Sequence, residues 1–192
     1  LMKRYPEHKI IFCGDVGYQL PPIEGSEFNV DCGLPVFHHT KNYRCECPEL
    51  AKHLMYMRRL IGNSKIQTIH SEKLVKRMGY EIVDSNSIDY GVEDMILCST
   101  HNQKNKYTER FKHLEKYSVL ENSRDYSNGE IVIGPKPHKV RCELRHAFTV
   151  HSIQGETAKN KLFIDLDRFR SMKMLYTALS RAKRKDQIVF MK

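Results

Sequence analysis

Five short apolar runs restrict this chain more than any other feature: Lys9-Ile10-Ile11-Phe12-Cys13, Met95-Ile96-Leu97-Cys98, Ala147-Phe148-Thr149-Val150-His151, Leu162-Phe163-Ile164-Asp165 and Gln187-Ile188-Val189-Phe190. Unbroken apolar runs this short suit strands covered on both faces, as in parallel sheets. Helical patterns fall between them. Residues 48–62 carry Pro48 near a first turn, Leu50, Leu54, Met57 and Ile61 on one stripe, and Gly62 as a stop, with Lys52, His53, Arg58 and Arg59 largely on the wet side. A short helix is expected from Ser71 to Gly79 and a basic one over Gln103 to Tyr117. A last one over Met172 to Lys183 turns Leu175, Ala178, Leu179 and Ala182 inward. The expected class is α/β, and sites in such sheets lie at the carboxyl ends of the strands.

The middle of the chain has another texture. Tyr117-Ser118-Val119-Leu120, the Asn128-Gly129 turn, Ile131-Val132-Ile133 and Val140 to Leu144 are short strand-like pieces separated by turn residues, which predicts a small β-rich insertion. Near the start, the polar stretch Glu24-Gly25-Ser26-Glu27 marks a hinge or domain boundary. With 40% hydrophobic and 29% charged residues the chain can bury a core. Its 32 Lys and Arg against 23 Asp and Glu leave a net charge of +9, which favours a polyanion, nucleic acid before acidic lipid. No apolar run approaches the ~20 residues of a bilayer span, so no membrane partner and an intracellular setting are expected. Nothing in the sequence chooses among nucleus, mitochondrion, cytoplasm and a viral replication site.

The six cysteines lack the paired spacing of a secreted disulfide framework and read as reduced thiols. Cys32, His38, His39, Cys45 and Cys47 could between them supply the four soft ligands zinc accepts, but in no standard spacing, so no metal site is assigned. Asp165-Leu166-Asp167 has the look of a metal-binding pair and reads more simply as the start of a loop.

Several polar residues suit phosphate chemistry. Gln19, just past a strand end in a loop stiffened by Pro21 and Pro22, can donate to a phosphate oxygen and accept from an attacking water, although the same residues also make an ordinary turn. Arg44 offers a planar fork to a terminal phosphate, or is one more surface cation. Arg181 rides on a packed helix, which fixes its stem and leaves its head free to neutralise a transferring phosphoryl group or merely to solvate the helix end. In His151-Ser152-Ile153-Gln154-Gly155-Glu156-Thr157 the glycine allows close backbone approach to a phosphate or sugar, and Ser152, Gln154 and Thr157 supply neutral hydrogen bonds to a nucleic-acid backbone. His151 suits that role or a core position.

Taken in order, three blocks match one family. Gly14 to Pro22, Thr149 to Thr157 and Tyr176 to Ala182 resemble motifs III, V and VI of superfamily 1 helicases of the Pif/RecD branch, and Arg44 matches the motif IV arginine. The resemblance implies a RecA-like second helicase domain over residues 27–192, with a small β-barrel-like insertion over 103–146, preceded in 1–26 by the end of a first RecA-like domain. It implies that Gln19, Arg44 and Arg181 contact the γ-phosphate of ATP and that Gly155 and Glu156 lie near the nucleotide. Thr100, His101, His151, Ser152, Gln154 and Thr157 would contact nucleic acid. Tyr107, Tyr117 or Tyr126 would offer stacking platforms for bases.

No Gly-Lys-[Ser/Thr] loop and no Asp-Glu pair occurs in the 192 residues, so the motifs that cradle phosphates and hold Mg2+ are expected in a missing N-terminal RecA-like domain. The expectation is the C-terminal portion of an ATP-dependent helicase that moves 5′ to 3′ on single-stranded DNA and acts at DNA junctions, inactive as an isolated fragment. A viral RNA helicase of the same superfamily and a non-catalytic nucleic-acid-binding module are the other readings. The last motif of the former usually differs from Ser180-Arg181-Ala182, and the latter has no use for three phosphate-sensing groups.

Overall fold

Four of the apolar runs meet in one parallel sheet. The computed structural model describes residues 18, 20, 35, 37, 42–62, 70–153, 156–169 and 171–192. The run at Lys9 to Cys13, the hinge near Glu24 and the zinc candidates Cys32, His38 and His39 lie outside the described residues. In chain order the elements are α1 (Pro48–Gly62), α2 (Ser71–Arg77), β1 (Ile82–Val83), β2 (Met95–Cys98), α3 (His101–Arg110), β3 (Lys116–Val119), β4 (Ile131–Ile133), β5 (Cys142–Leu144), β6 (Ala147–Thr149), β7 (Leu162–Asp165), α4 (Met172–Leu179) and β8 (Ile188–Met191). The central sheet has the order β1-β8-β7-β2-β6, every pair parallel. Thus the fold is mixed α/β around a parallel sheet, as a RecA-like domain requires.

Both faces of this sheet are covered, which explains its unbroken apolar strands. Leu97, Leu162, Ile164, Ile188 and Phe190 pack with Leu50, Leu54 and Met57 of α1, Leu74 and Val75 of α2, and Leu175 and Leu179 of α4. On the other face Ile96, Ala147 and Phe163 meet Tyr107, Phe111 and Tyr90. Each such side chain stabilises the fold by ~1.5–3 kcal/mol before conformational entropy is set against it.

The second sheet is antiparallel, in the order β4-β3-β5, with Tyr117 opposite Val132 on one side and Leu144 on the other. Gly129, at φ +87, makes the turn between β3 and β4 that the Asn128-Gly129 pair signals, since that left-handed conformation suits glycine. Of the segment 103–146, α3 packs against β2 and β6, while β3 to β5 form the separate sheet.

Some elements differ from the sequence pattern. The basic helix runs from His101 to Arg110 rather than to Tyr117, because Thr100 caps it early and Lys116 and Tyr117 are drawn into β3. The last helix stops at Leu179, where Ser180 Oγ donates back to the Thr177 carbonyl at 2.8 Å and the Arg181 side chain folds onto the same carbonyl. β1, only two residues long, has no apolar run to mark it and exists by pairing with β8.

Candidate nucleotide and nucleic-acid site

Adjacent parallel strands bring two of the predicted segments to one edge of the sheet. β2 and β6 run in register from Ile96 opposite Ala147 to Cys98 opposite Thr149, so Thr100 and His101 follow one strand end while His151 and Ser152 follow its neighbour. The Thr100 hydroxyl accepts from the Gln103 amide at 3.3 Å and donates to the Gln103 side chain at 2.9 Å, a capping box that starts α3 and leaves His101 and Asn102 exposed. Gln103 in turn reaches Asp165 Oδ2 at 3.2 Å and the Asp167 carbonyl at 3.3 Å. Asp165 ends β7 and also accepts from Tyr107 Oη at 2.8 Å and the Asp167 amide at 2.9 Å. Its oxygens are thereby occupied by protein donors, which fits a loop start. Tyr107 lies on the buried face of α3 and is removed as a base-stacking platform; Tyr117 and Tyr126 are half-buried.

Past β6 the chain turns through a short 3₁₀ segment, His151–Ile153, in which Ser152 Oγ donates to the Thr149 carbonyl at 3.0 Å. His151 and Thr157 are half-buried, and Ser152 and Glu156 are exposed. Gln154 and Gly155, like Gln19, lie outside the described residues.

Arg181 does not have the free head that its place on a helix suggested. It is 1% exposed. Its Nε donates to the Thr177 carbonyl at 3.1 Å and its Nη2 to Ser180 Oγ at 2.7 Å. The Nη1 group reaches the Glu156 carbonyl at 3.3 Å and that of Ile153 at 3.5 Å. In the other direction, the Ala158 amide donates to the Arg181 carbonyl at 2.8 Å. The reason is local: α4 ends two residues earlier, at Leu179, so the side chain turns back along the last turn and meets the segment that leaves β6. Arg181 therefore ties Ile153, Glu156 and Ala158 to the end of α4.

Arg44 arrives at the same place from far away in sequence. Its Nη1 donates to the Ser180 carbonyl at 3.0 Å, across a separation of 136 residues. The Glu46 amide donates to the Lys183 carbonyl at 2.8 Å, and Lys183 Nζ pairs with Glu46 at 2.9 Å, so residues 44–46 lie along 180–183. Ser180 holds both arginines, one on its carbonyl and one on its hydroxyl. Beside them is a cleft of about 470 Å³ lined by Glu156, Thr157, Ala158, Lys159 and Lys183. A cleft of about 520 Å³ beside β8 and the start of α1 is lined by Cys47, Tyr80 and Lys185 among others, and contains none of the predicted site residues.

Lys159 and Lys183 give the smaller cleft ammonium groups that suit an anion. Among the described residues no group of three His, Cys, Asp or Glu is placed to hold a metal.

Titration is strongly perturbed away from this cleft. Where the antiparallel sheet joins the central one, burial holds His146 down to about 4, aided by the Lys116 charge, and pushes Lys116 down to about 8 against the pull of Asp94. Lys116 Nζ donates to the Asp94 carbonyl and Tyr90 Oη to the His146 carbonyl at 3.1 Å, while the Asp94 carboxylate takes the Gly91 amide at 2.7 Å and the Lys161 amide at 3.0 Å. Cys45, Cys47, Cys98 and Cys142 are free thiols. Burial pushes Cys98 up to about 12, whereas bonds from the backbone at Leu50 and Lys185 hold Cys47 below its ordinary value.

Solved structures share this architecture. A Pif1 helicase from Bacteroides, in complex with ADP-AlF3 and single-stranded DNA, matches 79% of this chain and 50% of its own length at a TM-score of 0.56 and 17% identity. The Pif1 helicase of Candida albicans matches over 74% and 53%, at 0.50 and 12%. The chain has a Pif1-like helicase fold. A third Pif1 structure, described for DNA unwinding at forked double-stranded DNA by two coordinating helicases, matches over 78% and 48%, at 0.52 and 18%. The chain spans about half the length of these Pif1 structures. No protein-family profile and no curated protein sequence matches it.

Within the Pif1-like fold, two residues that sequence reasoning missed stand next to the predicted ones. Ser180 carried no role of its own in the sequence, and Arg58 was assigned to the wet side of α1; it is half-buried instead, with its Nε on Tyr176 Oη at 2.8 Å. His53, assigned to the same wet side, is also half-buried, with Nδ1 3.1 Å from Tyr80 Oη. Helical periodicity reports which face of α1 meets the core, and it carries no signal for a polar partner on another segment.

Proposed function

We propose that this chain is the second RecA-like half of an ATP-dependent DNA helicase, which couples ATP hydrolysis to movement along single-stranded DNA, 5′ to 3′, and to duplex unwinding at junctions. One observation carries the reading. Arg44 and Arg181 converge on Ser180 beside the 153–158 segment and a basic cleft, within a Pif1-like fold.

In this reading ATP supplies the phosphoryl group whose transfer drives the cycle. Arg44 clamps the terminal phosphate. Arg181 turns its Nη1 edge toward it, exchanging its bonds at 3.3 and 3.5 Å to two carbonyls for a stronger charge-assisted one, while Nε and Nη2 keep their anchors on Thr177 and Ser180. Because Nη1 also holds the Glu156 and Ile153 carbonyls, that exchange loosens the 153–158 segment. His151, Ser152, Gln154 and Thr157 with Thr100 and His101 touch the strand backbone, and the loosening is felt there. Gln19 reports the phosphate from the opposite wall, and Gly155 and Glu156 lie beside the nucleotide. Mg2+ and the phosphate loop belong to the N-terminal RecA-like partner domain.

The test is DNA-stimulated ATP hydrolysis by the full-length protein that carries this segment. Arg44→Ala should lower kcat by roughly 10³-fold or more, the range seen when such arginines are removed. The isolated 192 residues should show no activity. Wild-type kcat in Arg44→Ala, or hydrolysis by the isolated segment, would overturn the proposal.

A further inference from the structure

Arg58 belongs to no motif, yet it joins two of them. Its Nε donates to Tyr176 Oη at 2.8 Å, and its guanidinium lies 5.0 Å from the ring centre of Tyr18 and 5.6 Å from that of Tyr176. The two rings are themselves 6.3 Å apart and tilted by 53°. Tyr18 precedes Gln19 in sequence. Tyr176 stands one helical turn before Ser180, whose amide donates to the Tyr176 carbonyl at 2.9 Å. Ser180 in turn holds Arg44 and Arg181.

We propose that Arg58 is a positioning residue that couples Tyr18, the sequence neighbour of Gln19, to the two arginines, so that displacement of Tyr18 is passed through the guanidinium to Tyr176 and on to Ser180. The inference rests on the helicase reading above. A guanidinium suits this place because it donates in its own plane to the phenol while its face attracts aromatic rings. Lysine has a single round charge on a flexible stem and cannot hold both rings in one orientation. Tyr176 is almost fully buried and α1 packs along α4, so movement of the guanidinium has no soft layer to absorb it before the end of α4.

The experiment uses the full-length protein and compares Arg58→Gln, Arg58→Lys, Tyr176→Phe and the double variant Arg58→Gln/Tyr176→Phe. Arg59→Gln, on the exposed side of α1, is the control. The readouts are kcat and KM for ATP in the presence of single-stranded DNA, and base pairs unwound per ATP, each per folded molecule as counted by circular dichroism. Arg58→Gln should lower base pairs per ATP and kcat ~tenfold with KM within about twofold, as expected when ground-state binding is intact. Arg58→Lys should not restore the yield, the double variant should be no worse than Arg58→Gln, and Arg59→Gln should match the parent. A wild-type yield per ATP in Arg58→Gln, full restoration by Arg58→Lys, or additive losses in the double variant would overturn the coupling while leaving the helicase reading intact. A wild-type protein without DNA-stimulated hydrolysis removes the helicase reading, and the coupling falls with it.

Discussion

Truncating Arg181 should unfold the protein more easily, whatever it does to activity. Arg181→Ala removes a guanidinium that is 1% exposed and strips partners from the carbonyls of Thr177, Glu156 and Ile153 and from the Ser180 hydroxyl. Leaving buried hydrogen-bonding groups without partners costs about 1–3 kcal/mol for each group, on the order of 3–5 kcal/mol together here. For a chain of this size each kcal/mol lowers the midpoint by about 2–4 °C, so Tm should fall by ~10 °C. Arg181→Lys keeps the charge but cannot serve carbonyls on two segments at once, and should fall between alanine and the parent. Arg184→Ala, which removes an exposed partner of Asp186, should leave the midpoint in place and serves as the reference. Thermal melts followed by far-UV circular dichroism give all three numbers. An Arg181→Ala midpoint equal to that of Arg184→Ala would refute the argument, because it would mean that the guanidinium is solvated rather than locked between α4 and the 153–158 segment.

Acid should destabilise the junction of the two sheets. His146 stays neutral in the fold down to about 4, whereas the unfolded chain takes up its proton near 6.5, so stability rises with pH across that window and is lost on acidification. The change amounts to ~3 kcal/mol at 1.36 kcal/mol per unit, and His146→Leu should flatten the urea midpoint between pH 4 and 6.5; parallel curves for parent and variant would contradict this. Asp94→Ala leaves Gly91, Asn160 and Lys161 donors without their acceptor and should cost ~3 kcal/mol by urea denaturation, with an unchanged midpoint as the adverse result. Among the four described thiols, peptide mapping after brief alkylation at neutral pH should find Cys47 modified ahead of Cys45, and Cys98 untouched until the chain unfolds; early labelling of Cys98 would count against its burial.

The parallel sheet was legible because its strands are covered on both faces. That environment selects apolar runs such as Met95 to Cys98 and Leu162 to Asp165, and any reader of hydropathy finds them. The Asn128-Gly129 turn was legible for a similar local reason, since few residues besides glycine tolerate φ +87. Helix ends were less so. α3 and α4 each stop short of their pattern because residues beyond them are claimed by tertiary partners, Lys116 by β4 and β5 through its strand and Arg181 by the chain leaving β6.

The α/β class and four of the five strands of the parallel sheet were legible along the chain, since hydropathy period is a property of neighbours in sequence. What the charged groups do was set by the folded chain. It buried Arg181 on backbone carbonyls, delivered Arg44 to the carbonyl of Ser180 from 136 residues away, and set Arg58 between Tyr18 and Tyr176. A cation's role depends on its partners and on how much water remains around it, and both are fixed by segments that meet only when the chain folds.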